Sequence, residues 1–198
     1  MIIGITGGVG CGKSAVISYL EENFGALVLL ADDISKEVSE KDPRVLSKIR
    51  VLFRNDDALT PEGIMDRPKV AAIIFADAAK RMALDDIIHP AVDRAIRLAI
   101  ERQTDEDPDR LIVIESALLF EAGLDELCDK TVYIFATEET RLSRLLEKRG
   151  YSTEKSKAIM AKQLSEKEFR ERCDITIDNN GTKEGAFKQI SDYISCLI

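Results

Sequence analysis

The sequence predicts an α/β domain built on a parallel sheet, and two observations predict it. Five short apolar runs rich in branched residues occur at residues 2–6, 26–31, 111–114, 131–135 and 175–177, and helix-length segments separate most of them. The runs are continuous rather than alternating, as strands covered on both faces by crossover helices require. The chain has 198 residues, 45% of them hydrophobic, which is enough for one domain with a substantial core.

The first run, "IIGIT", leads into "GGVGCGKS" and then an amphipathic segment beginning "AVISYL". Gly7, Gly12, Lys13 and Ser14 satisfy G-x-x-x-x-G-K-[ST], placed between a strand and a helix as a phosphate-binding loop requires. Glycines let the main chain wrap close to phosphate oxygens, and the amides at the start of the helix add the positive end of its dipole. Lys13 is expected to reach the β- and γ-phosphates of ATP, and the Ser14 hydroxyl to coordinate Mg²⁺. Cys11 fills a small-residue position in the loop.

The second run ends "LVLLADDI", which puts Asp32 and Asp33 at the carboxyl end of a strand, where open α/β sheets bind ligands. A kinase of small molecules needs a carboxylate there to orient or deprotonate its acceptor hydroxyl. The same two residues suit capping of the helix that begins "DISKEV".

Strand and helix then cease to alternate for nearly eighty residues, which predicts a helical insertion over residues 35–103. It contains one helical pattern, "KVAAIIFADAAKRMALDDII", then a break at His89-Pro90, then a stripe of Val92, Ile96, Ala99 and Ile100. "TDEDPDR" reads as a solvated loop returning to the sheet. The core is expected over residues 1–34 and 104–198.

Beyond the fourth run, "TRLSRLLEKRGYSTEKSKAIMAKQ" carries Arg141, Arg144, Lys148 and Arg149 and predicts a lid over residues 141–165. Arginine forks in a lid neutralise charge on the transferring phosphoryl oxygens, and Arg144 and Arg149 are the favoured pair. Charge at this density also suits a solvated helix face. The fifth run is followed by "DNNG", a turn in its own right, and the last helix carries Phe187, Ile190, Ile194 and Leu197 on one face.

Charge and cysteines narrow the class further. With 28 Lys+Arg against 36 Asp+Glu the net charge is -8, against a general nucleic-acid surface. Cys11, Cys128, Cys173 and Cys196 form no C-x-x-C pair and have no histidine cluster beside them, so neither a zinc site nor a disulfide framework is expected. No run approaches the roughly 18 apolar residues of a membrane span, and the start lacks a secretory pattern, so the expectation is a cytoplasmic protein with no membrane partner. No N-K-x-D element for guanine occurs, and a transport ATPase would be longer. A short kinase with a helical acceptor-binding region and an arginine-bearing lid remains.

"GITGGVGCGKS", "LADDISKEV", "IIHPAV", "ALLFEAG", "RLLEKRGYS" and "CDITIDNNGT" follow in the order and approximate spacing of dephospho-coenzyme A kinases, and the chain resembles that family over nearly its whole length. The resemblance implies a three-layer α/β/α phosphate-loop fold with a five-stranded parallel sheet, a helical CoA-binding insertion and a lid. It also implies transfer of the ATP γ-phosphoryl group to the ribose 3′-hydroxyl of dephospho-CoA, the last step of coenzyme A synthesis.

On that resemblance Gly8, Val9, Gly10, Cys11, Gly12, Lys13, Ser14, Ala15 and Asn179 hold ATP, with Ser14 on Mg²⁺. Thr6, Asp32, His89, Leu118 and Glu121 face the acceptor, and Lys13, Asp32, Arg144 and Arg149 carry the chemistry. Asp32 is preferred over Asp33 because Leu30-Ala31-Asp32 matches an Asp-Ala-Asp pattern, with Leu30 replacing its first aspartate. Ala117 replaces a proline in the segment containing Glu115, and Glu115 or Glu121 stands near metal or acceptor. A phosphate-loop kinase of another acceptor, a nucleoside, a nucleotide or shikimate, is the alternative, and a nucleotide-binding regulator without transfer activity is a second.

Overall fold

Five runs of apolar, branched residues become five strands because each can be buried on both faces. In the computed structural model, which describes residues 1–197, they are β1 (Ile2–Thr6), β2 (Leu27–Leu30), β3 (Ile112–Glu115), β4 (Lys130–Phe135) and β5 (Ile175–Asp178). The sheet is parallel, with strand order β2-β3-β1-β4-β5. β1 is central, its Ile3 pairing with Val113 on one side and Lys130 on the other. β3 therefore stands between β1 and β2, so the strand preceding Asp32 is separated from the loop-bearing strand by one neighbour.

Ile3 and Ile5 are fully buried on one face of β1, and Gly4 and Thr6 occupy the other. A Cβ on Gly4 would lie 2.7 Å from the Cys128 sulfur and 2.9 Å from Leu119, so the glycine is where the segment after β3 lies flush against the sheet. The helices around the sheet are α1 (Lys13–Phe24), α6 (Glu138–Arg149), α7 (Thr153–Met160), α8 (Glu166–Arg172) and α9 (Lys183–Ser195). On α9, Ile190 and Ile194 are fully buried, and Phe187 stacks on Tyr19 of α1 with ring centroids 4.5 Å apart. α8 docks through Phe169, stacked on Tyr133 of β4 at 4.8 Å, and burial pushes the Tyr133 hydroxyl up to about 12.

The chain divides into two compact units, one formed by Met1–Leu29 with the chain from Asp107 onward, the other by Leu30–Glu106. The break falls before the expected residue 35 because α2 (Ala31–Lys41) starts one residue after β2 ends. α3 (Pro43–Leu52), α4 (Arg67–Ala76) and α5 (Ala78–Glu106) complete the second unit, and α2, α3 and α4 all pack on α5. Its own core contains Val45, Ile49, Phe53, Val70, Leu84 and Ala91.

Two local expectations fail here. The helix break lies at Asp77 rather than at His89-Pro90: the Asp77 carboxylate accepts the Lys80 amide at 3.0 Å and starts α5, which then runs 29 residues straight through Pro90. Proline removes one helical hydrogen bond at a cost of roughly 3 kcal/mol. Burial of Leu84, Ala91, Val92 and Ile96 along the same helix offsets that cost. Neither Asp32 nor Asp33 is the cap of α2; Leu30 holds that position without a side-chain bond, and both aspartates lie in the first helical turn.

Strand β5 is pinned at its start by Asp174. One carboxylate oxygen accepts the Thr131 amide and the Thr131 hydroxyl, each at 2.8 Å, and the other accepts from Lys130 at 3.2 Å. Burial alone would raise the Asp174 pKa, but these donors outweigh it and hold it below its usual value. A carboxylate held down in the folded state stabilises at neutral pH and loses that contribution as pH falls through its folded value. We expect Asp174→Asn to lower the melting temperature by about 2–4 °C at pH 7, the effect of about 1 kcal/mol. In calorimetric scans the gap between the two proteins begins to narrow near pH 4, where the unfolded carboxyl protonates, and closes as pH falls through the lower native value.

Candidate functional site

The glycine loop begins at the end of β1 and closes on α1. Gly7, Gly10 and Gly12 have φ of 149°, 82° and 93°, values costly to side-chain-bearing residues. Gly12 caps α1 in the left-handed conformation, so the amides of Lys13 and Ser14 open the helix without intrahelical acceptors. Within the loop the Cys11 amide donates to the Gly8 carbonyl at 3.1 Å, and Ala15 to Gly12 at 3.2 Å. Cys11 is buried, and its sulfur packs beside Gly7.

Lys13 folds back over the loop. Its ammonium donates to the Gly7 carbonyl at 2.8 Å and stands 3.4 Å from the Glu115 carboxylate, with both side chains mostly shielded from water. Of the two glutamates weighed from the sequence, Glu115 is the one beside the loop, at the carboxyl end of β3. Glu121 and Leu118 are exposed in the turn that follows. Ser14 is exposed on the first turn of α1 and has no side-chain hydrogen bond among the described residues. Ser14 and Glu115 offer hard oxygen donors of the kind Mg²⁺ takes together with phosphate oxygens and water. The described residues hold no group of three or more His, Cys, Asp or Glu side chains placed to hold a metal ion.

A second set of side chains grips the loop through its main-chain groups. Arg141 donates through Nε to the Val9 carbonyl at 2.7 Å, and its guanidinium lies where a side chain on Gly8 would be. Gln163 accepts the Val9 amide at 2.8 Å. Arg144 spans two carbonyls, Cys11 at 3.1 Å and Asn179 at 2.7 Å, while the Asn179 side chain donates to the Cys11 carbonyl at 2.7 Å. Asn179 is 5% exposed. Arg144 and Asn179 thus meet the loop's peptide groups, whereas the sequence pointed to phosphoryl oxygens for one and ATP for the other. A guanidinium facing carbonyls satisfies its donors there.

Arg149 lies at the exposed end of α6 and Lys148 beside it, and among the described residues neither has a side-chain partner. Thr6, at the end of β1, is buried, and its hydroxyl has no partner among the described residues. In the helical unit, Asp32 and Asp33 are exposed at the start of α2 with no hydrogen-bond partner among the described residues. His89 is half-buried on α5, its Nε2 3.9 Å from Asp85 of the preceding turn. Sequence reasoning missed Gln163 altogether: nothing marks one glutamine in a charged stretch as the partner of an amide 154 positions away.

A parallel sheet with a glycine loop leaving its central strand, closed by Lys13 and a serine on the following helix, defines a phosphate-loop kinase. The sequence profile described as dephospho-CoA kinase matches residues 1–184. The chain belongs to the dephospho-CoA kinase family. It is 35% identical to the dephospho-CoA kinase of Shouchella clausii, with 98% of each chain covered. With that of Fusobacterium nucleatum it shares 37% identity, over 100% of this chain and 98% of the relative. The solved structure of TT1252 from Thermus thermophilus superposes with a TM-score of 0.85 at 29% identity, covering 100% of this chain and 98% of that one.

Gly10 meets α6 directly: an added Cβ would lie 3.0 Å from both the Arg141 carbonyl oxygen and Leu145. Gly10→Ala therefore combines a left-handed alanine, costing about 1–2 kcal/mol, with displacement of α6. The melting temperature is expected to fall by about 2–8 °C. ATP affinity, measured by calorimetry, should drop by about tenfold or more as the loop loses its shape. Unchanged affinity would show that the loop tolerates a shifted α6.

Proposed function

We propose that this protein transfers the γ-phosphoryl group of ATP to the ribose 3′-hydroxyl of dephospho-CoA, giving coenzyme A and ADP in the cytoplasm. The observation that carries the reading is that dephospho-CoA kinases match the chain end to end, so the helical unit is included as well as the nucleotide loop. Among the described residues no helix is long and apolar enough to cross a membrane.

In this reading the amides at the start of α1 bind the ATP phosphates, and Lys13 exchanges the Gly7 carbonyl for β- and γ-phosphate oxygens. Glu115, which stands 3.4 Å from the Lys13 ammonium, lies beside the loop on the side where a metal would sit. Ser14 and Glu115 would hold Mg²⁺, which when bound would supply neutralisation of phosphate charge. Asp32 accepts the proton of the 3′-hydroxyl as its oxygen bonds to the γ-phosphorus, and the bond to the bridging oxygen of the ADP leaving group breaks. Its exposure, with no hydrogen-bond partner among the described residues, leaves this carboxylate available for that role. Arg149 is the lid cation available for the transferring group, and Arg144 contributes by holding the loop. Thr6, His89, Leu118 and Glu121 belong to the acceptor side of this reading.

An acceptor panel tests it. With ATP and Mg²⁺, ADP release should be rapid with dephospho-CoA and near background with adenosine, AMP or shikimate. Preference for any of those three would overturn the acceptor. Asp32→Asn is expected to lower kcat by roughly 10²-fold or more while ATP affinity persists. Near-normal turnover in that variant removes Asp32 from the chemistry.

A further inference from the structure

The Val9 peptide of the nucleotide loop is held at both of its polar ends. Gln163 accepts its N–H at 2.8 Å, and Arg141 donates to its carbonyl at 2.7 Å. The two clamps are joined, because the Arg141 guanidinium also donates to the Gln163 oxygen at 3.2 Å. Both neighbours of Gln163 in this triangle are donors only, so the amide oxygen must face them. On either side of Val9 stand Gly8, lying against the Arg141 guanidinium, and Gly10, lying against the Arg141 carbonyl.

Gln163 is a fixed point rather than a mobile surface residue. Its own amide donates to the Met160 carbonyl at 3.1 Å, closing the turn after α7. The next residue, Leu164, packs against the Phe120, Tyr133 and Phe169 cluster. Ser165 then caps α8: the Glu168 carboxylate accepts its amide at 2.8 Å, and the Ser165 hydroxyl accepts the Glu168 amide at 3.3 Å. The segment following α7 is thus anchored to β4 and delivers one acceptor to the loop.

We propose that Gln163 is a positioning residue for phosphoryl transfer: acting through the Val9 peptide and Arg141, it fixes the loop in the conformation that receives the ATP phosphates. The loop is rich in glycine and flexible by composition, so without the clamp nucleotide binding bears the cost of ordering it. Losing the clamp weakens ATP binding before it affects the chemical step.

The inference rests on the nucleotide half of the proposed function, and ATP affinity measured without acceptor separates it from any error in the acceptor. Gln163→Leu removes the acceptor oxygen at nearly constant volume. ATP affinity should fall about tenfold, the scale of one net hydrogen bond, with kcat at saturating ATP within about threefold of the parent. Val9 amide exchange, followed by NMR, should accelerate by a similar factor. Gln163→Glu keeps an oxygen for both donors and should bring affinity and protection back to within about threefold of the parent. If Gln163→Leu does not fold, Gln163→Asn, too short to reach both donors, takes the same measurements. Parent-like ATP affinity in the leucine or asparagine variant, unaltered Val9 protection, or equal impairment of the leucine and glutamate variants would each overturn the proposal.

Discussion

The constraint on which the rest of this structure depends is a peptide loop that must present its amides and therefore has to dispose of its carbonyls. Lys13 takes Gly7, Arg141 takes Val9, and Arg144 with Asn179 takes Cys11. Each cation arrives from a helix with buried apolar residues of its own, Val16, Ile17 and Leu20 on α1 and Leu145 on α6, so the packing of α6 and of the chain after β5 serves the loop directly. Gly8 and Gly10 are as much a requirement of that packing as of phosphate approach, because their missing side chains make room for Arg141 and α6.

Lys13 and Glu115 add a shielded ion pair beside the loop. The ammonium is shared between a carbonyl and a carboxylate, both part-shielded from water, so neither charge is left uncompensated. In the proposed function ATP phosphates take the place of the Gly7 carbonyl, and a cation already turned toward the loop would need little rearrangement to meet them.

The strands were legible because burial on both faces writes an unbroken apolar run, and all five lie within one or two residues of where the sequence puts them. The nucleotide loop was legible because its motif is local. What was not legible has a common physical cause. His89-Pro90 looks like a break only when the packing along α5 is unseen, and the Asp77 cap that ends one helix and begins the next is a single residue within a helical pattern. Arg141 and Arg144 read as members of a solvated or lid-like charge run, yet their loop partners, Val9 and Cys11, lie more than 130 positions away in the chain. Long-range main-chain acceptors leave no local pattern, so neither Gln163 nor the carbonyl-holding role of Arg144 and Asn179 could be read in advance.

The uninterrupted course of α5 has a mechanical consequence. At 1.5 Å per residue its 29 residues make a rod about 44 Å long, and α2, which begins beside Asp32, is packed along it. Pro90 contributes no amide proton, so the Asp86 carbonyl one turn earlier lacks its usual helical donor and the rod bends most cheaply there. Leu84 and Ala91 of the shared core stand on either side of that joint, so packing braces the rod where its own hydrogen bonding is weakest.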